Sequence, residues 1–225
     1  MEQPPRSTLL ATLAITLTLG GCGGAIPDTP HRARPQATIA YQPIRPDEGQ
    51  CLSDLGAKAA GFTPLPDQYY GAGCATFNAV RLASLSGDSQ SFNISNLGPV
   101  TCPLANTFAG WARFGVDRAA RAILGSPLVR IETMGSYSCR NVAGTDKRSA
   151  HATGNAIDVA AFVLADGRRI TVLNGWNSPD PAEREFLRTV HQSACRRFGT
   201  TLGPDFNAAH RNHLHVDLMN NGICH

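Results

Sequence analysis

No C-x-x-C pair occurs anywhere in the 225 residues, which removes the paired-cysteine zinc sites of the finger and ribbon kind. No run of Lys or Arg exceeds two residues and the formal net charge is only +3, so a nucleic-acid or heparin surface has no electrostatic basis. Only one long apolar run exists, at residues 9–19, so the rest of the chain offers no membrane-spanning segment. No internal repeat is present, which excludes a solenoid. Glutamate is absent after Glu185, so that stretch cannot supply a glutamate base.

What is there begins with export. The run LLATLAITLTL at 9–19, preceded by Arg6 and followed by Leu19-Gly20-Gly21-Cys22, reads as a secretory signal over residues 1–21. Its Leu-Gly-Gly-Cys ending resembles a bacterial lipobox, which implies that Cys22 becomes the first mature residue and carries lipid. Residues 22–48 hold five prolines and little apolar periodicity, and are expected to form an extended tether. The remaining 49–225 are enough for one hydrophobic core. The expected location is the periplasmic face of the envelope, on the outer membrane, with the lipid as the only membrane contact. Export also predicts oxidised cysteines. Cys51, Cys74, Cys102, Cys139, Cys195 and Cys224 are then expected to form three disulfides. Proximity along the chain pairs them 51–74, 102–139 and 195–224, and loss of one such bridge costs about 2–5 kcal/mol.

Apolar spacing gives a coarse map. Residues 52–100 read as loops with a short strand or two. Residues 103–124 have helical spacing through Leu104, Phe108, Trp111, Phe114, Val116, Ala120 and Leu124, with Pro103 in the first turn and Gly125 at the end. The alternation at 128–133 predicts a strand with Leu128, Arg130 and Glu132 on one face and Val129, Ile131 and Thr133 on the other. Residues 155–164 read as a central strand, turned at Asp166-Gly167 into a return strand over 169–173. Residues 181–198 predict an amphipathic helix buried through Phe186, Leu187, Val190, Ala194 and Phe198 and stopped by Gly199. Residues 213–219 predict a final strand. The expected fold is α+β: a small antiparallel sheet with a metal site on one face, helices on the other, long loops and disulfide staples, in a chain expected to be a monomer.

Two histidine-bearing segments carry the chemistry. In a strand over 213–219, side chains two apart share a face, so His213 and His215 project together with Asp217 further along, while Leu214, Val216 and Leu218 face the core. Asp158 lies inside an apolar run, where an unpaired carboxylate is costly to bury, so it requires a cation. That cation is either a metal or the guanidinium of Arg140 or Arg148. A bend at Gly154 brings His151 toward Asp158. His31, His191 and His225 read as surface or hydrogen-bonded core histidines. The two segments offer an imidazole and a carboxylate, then a cluster of three more imidazoles, from which the three mixed N and O ligands of an open zinc site can be drawn.

The pattern Ser149-x-His151-x-x-Gly154-x-Ala156-x-Asp158, followed by His213-x-His215, resembles the signature of zinc peptidases of the D-alanyl-D-alanine carboxypeptidase and murein endopeptidase type. The wider stretch, with Gly135-Ser136-Tyr137-Ser138-Cys139-Arg140, Leu164-Ala165-Asp166-Gly167-Arg168-Arg169 and Phe198-Gly199 to Gly203-Pro204-Asp205, resembles bacterial extensin-like C-terminal domain proteins over 49–225. The resemblance implies Zn2+ held by His151, Asp158 and His215, and peptidoglycan peptides as substrate. It places His213 beside the metal and His210 near it. Related carboxypeptidases use a glutamate base near this point; here the base must be His213, His210 or Asp205. Arg140 and Ser149 are candidates for gripping a substrate carboxylate, although Arg140 equally suits a structural ion pair and Ser149 a turn. Tyr137 and Trp176 are read as packing residues. A wall-binding domain that keeps the metal without hydrolysis stands as the alternative.

Overall fold

In a computed structural model, residues 46–58 and 61–225 are described; the expected signal, Cys22, His31 and all but the last three tether residues lie outside them. Helix α1 (Pro46–Gly56) starts within the expected tether rather than after it. Pro46 is the first helical residue, and Asp47 and Glu48 follow in the first turn, where free N–H groups favour negative charge.

Residues 52–100 are richer in strand than their composition predicts. They form β1 (Gly61–Pro64), β2 (Gln68–Gly71), β3 (Cys74–Thr76), β4 (Ala79–Ser86), β5 (Ser91–Ser95) and β6 (Val100–Thr101). Small polar residues dilute the alternation there. A bulge opposite Gly61 and Phe62 also breaks it within β4, so buried Val80 and Leu82 are followed by Leu85, three positions on.

The helical run expected at 103–124 is present as α2 (Cys102–Trp111), a π-helical stretch Ala112–Asp117 and α3 (Arg118–Leu124). The wider π turns shift the buried face by a residue. Phe114 therefore faces outward, under the guanidinium groups of Arg113 and Arg118, and not into the core as its spacing predicted. Gly125, in the left-handed conformation, ends the run as expected.

Next come β7 (Leu128–Gly135), a 3-10 turn Ala150–Thr153, β8 (Ala156–Leu164) and β9 (Arg169–Thr171). Register shifts in β7 put Leu128 in the core together with Ile131, overriding the predicted opposite faces. The return strand ends at Thr171, because the Thr171 hydroxyl accepts the Asn174 N–H (3.1 Å) and starts α4 (Val172–Gly175). Helix α5 (Pro181–Cys195) is capped by Asp180, whose carboxylate accepts the Ala182 N–H at 2.8 Å, and buries the predicted stripe. The chain closes with β10 (Thr200–Leu202), a 3-10 turn Ala208–His210, β11 (Leu214–Asp217) and β12 (Ile223–Cys224).

Gly199 does not end α5 by a left-handed cap. A Cβ there would stand 2.0 Å from the Met219 carbonyl oxygen, so the position is glycine because two backbones cross.

The fold is α+β, as expected, but its sheet is larger and mixed. The strand order is β1-β4-β5-β7-β8-β11-β10-β12, with β6 beside β4 and β9 beside β8; β5–β7 and β10–β12 are parallel. A separate pair, β2–β3, stands apart. One core joins α2, α3 and α5 to the sheet through Ile157, Val159, Phe162, Leu214 and Val216. Among the described residues no helix is long and apolar enough to cross a membrane.

The three disulfides are Cys51–Cys102, Cys74–Cys139 and Cys195–Cys224. Only the last follows proximity along the chain. The expected 51–74 and 102–139 pairs are replaced because α1 packs on α2, while β3 lies beside the segment that follows β7.

Candidate metal centre

Strand pairing sets the first contact. In the antiparallel β8–β11 pair, His215 and Asp158 are direct cross-strand partners, on the face opposite Leu214 and Val216. His215 Nδ1 lies 2.9 Å from Asp158 Oδ1. The second imidazole arrives from the 3-10 turn ahead of β8. Ser149 caps that turn by accepting the His151 N–H (3.3 Å), and Gly154 ends it with φ 64°. A Cβ at Gly154 would also press on the Pro99 carbonyl at 3.2 Å, so the predicted bend has two reasons to be glycine. The turn swings His151 back over the sheet: its Nε2 sits 3.2 Å from Asp158 Oδ2 and 3.2 Å from His215 Nδ1. One ligand atom from each of the three residues falls within 4.8 Å of the others.

The partners of the outer ring nitrogens assign the tautomers. His151 donates Nδ1–H to the Ser136 carbonyl (2.5 Å), and His215 donates Nε2–H to Asp217 Oδ2 (3.0 Å). In the neutral rings His151 Nε2 and His215 Nδ1 then present lone pairs, with the Asp158 carboxylate, toward one point, where protons on the ring nitrogens stand in for a cation in the metal-free protein. Such a point demands a cation. The donor set of two imidazoles and one carboxylate, each imidazole oriented from behind by a hydrogen bond, fits a divalent metal of the zinc type.

The charges respond to the crowding. Burial pushes the Asp158 carboxyl up, but hydrogen bonds from His151 and His215 outweigh it and hold the group well below the usual carboxylate range. Burial alone would lower His215; its hydrogen bonds to Asp158 and Asp217 prevail and push it up to about 9 in the metal-free protein. A proton thus occupies the cation position when no metal does. Burial, then the charge of neighbouring histidines, lowers His210 to about 4. Burial also lowers His213.

The other predicted residues are placed unevenly. His213 donates Nδ1–H to Asn212 Oδ1 (2.9 Å) and points Nε2 at Asp158 Oδ1, 3.6 Å away. His210 lies beside His213 with ring centroids 5.0 Å apart and planes tilted by 45°, held by Asn207 Oδ1 at 2.8 Å. Arg140 is exposed, lines the same cavity of ≈ 170 Å³ as His151 and Asp158, and has no carboxylate partner among the described residues. Arg148 instead bonds the Ala72 carbonyl (2.7 Å) and Asn141 Oδ1 (2.7 Å), so neither arginine neutralises Asp158. Ser149 is buried as a turn cap. Asp205 accepts the Trp176 Nε1–H (2.8 Å) and pairs with Arg188, which holds it ionised and occupied. Trp176 packs in the core as expected, whereas Tyr137 lines the cavity.

Four partners of these histidines were not assigned from the sequence. Asp217 was legible as the next residue on the His213–His215 face. Asn207 and Asn212 carry no pattern of their own, and the Ser136 carbonyl is a backbone atom with no sequence signal. A second group, His191, Cys195 and Cys224, has metal-like proximity, but its sulfurs are joined in a disulfide and His191 Nε2 donates to the His225 carbonyl (2.9 Å).

Asp217→Asn keeps the shape behind His215 and removes the charge. The variant is expected to bind zinc about 10- to 100-fold more weakly, read by competition with a chromogenic chelator. Unchanged affinity would mean that Asp217 does not orient this ligand.

No curated protein and no solved structure matches the chain. The family model described as extensin-like protein C-terminus matches residues 49–225, which takes in every member of the centre, and the chain belongs to that family.

Proposed function

We propose that this protein is a zinc-dependent hydrolase of the cell envelope that cleaves peptide stems or cross-links of peptidoglycan. The observation that carries the reading is the convergence of His151, Asp158 and His215, with both imidazoles fixed by hydrogen bonds from behind. A zinc ion held by these three supplies Lewis-acid polarisation of a carbonyl and a water made acidic near neutral pH. The chain's own groups do the rest. His213, with its Nδ1–H committed to Asn212, presents Nε2 as the atom that accepts the proton and then returns it to the leaving amine. His210, in contact with His213, holds that ring in place. Arg140 offers a guanidinium, without a carboxylate partner among the described residues, in the same cavity to a substrate carboxylate. Ser149, turned to its own backbone, acts by holding His151 rather than by touching substrate. Cys22 as a lipid anchor and residues 22–48 as a tether would set this centre on the periplasmic side of the envelope, acting as a monomer.

A second reading, a peptidoglycan-binding envelope protein that keeps the metal without hydrolysis, is favoured by one observation. Residues 186–225 hold no glutamate, and Asp205 is engaged by Trp176 and Arg188. Digestion of defined muropeptides decides between them. The wild-type protein is expected to release new amine and carboxyl termini detectable by mass spectrometry, and His151→Ala none. Equal hydrolysis by His151→Ala would refute the metal-dependent reading. Sacculus binding without new termini in the wild type would establish the second.

A further inference from the structure

We propose that the tyrosines beside the metal centre, Tyr70 and Tyr137, form a carbohydrate subsite that holds a sugar ring of a glycan-linked peptide. The proposal rests on the peptidoglycan reading and narrows it: the substrate is peptide still attached to glycan, not free stem peptide.

Continuity with the centre is the first ground. Tyr137 lines the cavity that contains His151, Asp158 and Arg140, and Tyr70 stands against it with ring centroids 4.8 Å apart and planes tilted by 35°. The rings thus extend the cavity wall outward onto the β2–β3 pair.

Rigidity is the second. The two tyrosines come from segments far apart in the chain, and those segments are locked together. Cys74–Cys139 joins them covalently. Arg148 donates Nε–H to the Ala72 carbonyl (2.7 Å), and the Tyr70 hydroxyl lies 3.3 Å from Thr76 Oγ1. A platform held this way binds without first having to be ordered.

Exposure is the third. Tyr70 is 50 % exposed. Neither tyrosine of β2 belongs to the core, although β3 beside them is fully buried. The aromatic rings therefore do little for the fold, and large aromatic surface left in water next to a cleft marks a binding site.

The chemistry selects a sugar. A pyranose has one flat C–H face and a rim of hydroxyls; a tyrosine has a flat apolar ring and a hydroxyl at its tip, suited to a contact that stays half wet. The cavity between ring and metal centre is walled by the exposed Ser138 and Arg140, which offer hydrogen bonds to hydroxyl and amide groups. An aliphatic peptide side chain would need a closed apolar pocket, which these walls do not make.

Titration of the full chain with the tetrasaccharide of β-1,4-linked N-acetylglucosamine, by calorimetry, tests this without any hydrolysis. Saturable binding is expected, weakened about tenfold or more by Tyr70→Ala and by Tyr137→Ala and within about threefold of wild type in Tyr70→Phe, which keeps the ring face. Tyr70 is surface-exposed, so its variant reports even where Tyr137→Ala fails to fold. Absence of saturable binding, or binding unchanged in Tyr70→Ala, would overturn the subsite. So would equal hydrolysis of a stem peptide with and without its disaccharide, which would assign the tyrosines to peptide. Sugar binding with no hydrolysis would instead sink the peptidase reading and leave the subsite standing.

Discussion

His215→Ala is expected to lose the metal completely and, in chelator, to be destabilised by about 3–5 kcal/mol relative to the metal-free wild type. Both effects follow from where the ring sits. His215 is one of three converging donors, and two carry too few ligands for a tetrahedral zinc site. It is also buried between two carboxylates, 2.9 Å from Asp158 and 3.0 Å from Asp217. With the ring gone, among the described residues Asp217 keeps only the Met219 N–H at 2.7 Å for its side chain, and Asp158 keeps only His151 and the more distant His213. Two like charges then face each other across a buried gap. His151→Ala should differ: the metal is lost, but Asp158 retains His215, so the fold loses less. Urea unfolding of the three proteins in chelator separates them. Equal stability of the two variants would show that His215 is not the counter-charge of both aspartates.

Trp111→Ala is expected to cost about 3–5 kcal/mol, with a fall in Tm on the order of 10 °C. The indole is fully buried and packs against Phe108, Phe162 and Phe198 at centroid distances of 5.4, 6.3 and 5.9 Å. Its Nε1–H also donates to the Val190 carbonyl at 3.1 Å, which ties α2 to α5 across the core. Alanine leaves a large cavity that four elements line and none can fill. Trp111→Phe keeps most of the volume and should lose about 1–3 kcal/mol. The metal affinity of the folded Trp111→Ala protein should stay near wild type, because the core lies on the sheet face opposite the donors. Thermal unfolding and zinc titration of each variant check both statements.

The parts of this account that were legible in the sequence are those set by local periodicity. Alternation along 213–217 put His213, His215 and Asp217 on one face and Leu214 and Val216 on the other before any pairing was known. Asp158 inside an apolar run announced a cation, and the helical stripe of α5 followed from its spacing. What could not be read depends on contacts between distant segments. The disulfides 51–102 and 74–139 follow from α1 meeting α2 and β3 meeting the segment after β7. The Ser136 carbonyl behind His151 is a backbone atom whose direction is set by the end of β7. The outward turn of Phe114 comes from a π-helical stretch that keeps an apolar sequence but rotates its face. Strands β1 to β6 stayed hidden because their buried residues are spaced by bulges and interleaved with small polar ones. The candidate ligands were therefore readable from local pattern, and their supports were not.

The most direct test of the central claim is the metal content of purified protein, measured by inductively coupled plasma mass spectrometry after dialysis, for wild type and His151→Ala side by side. About one zinc per wild-type chain and none in the variant is the predicted result. A wild-type chain that stays metal-free after exposure to zinc, or a variant that retains as much as the wild type, would contradict it.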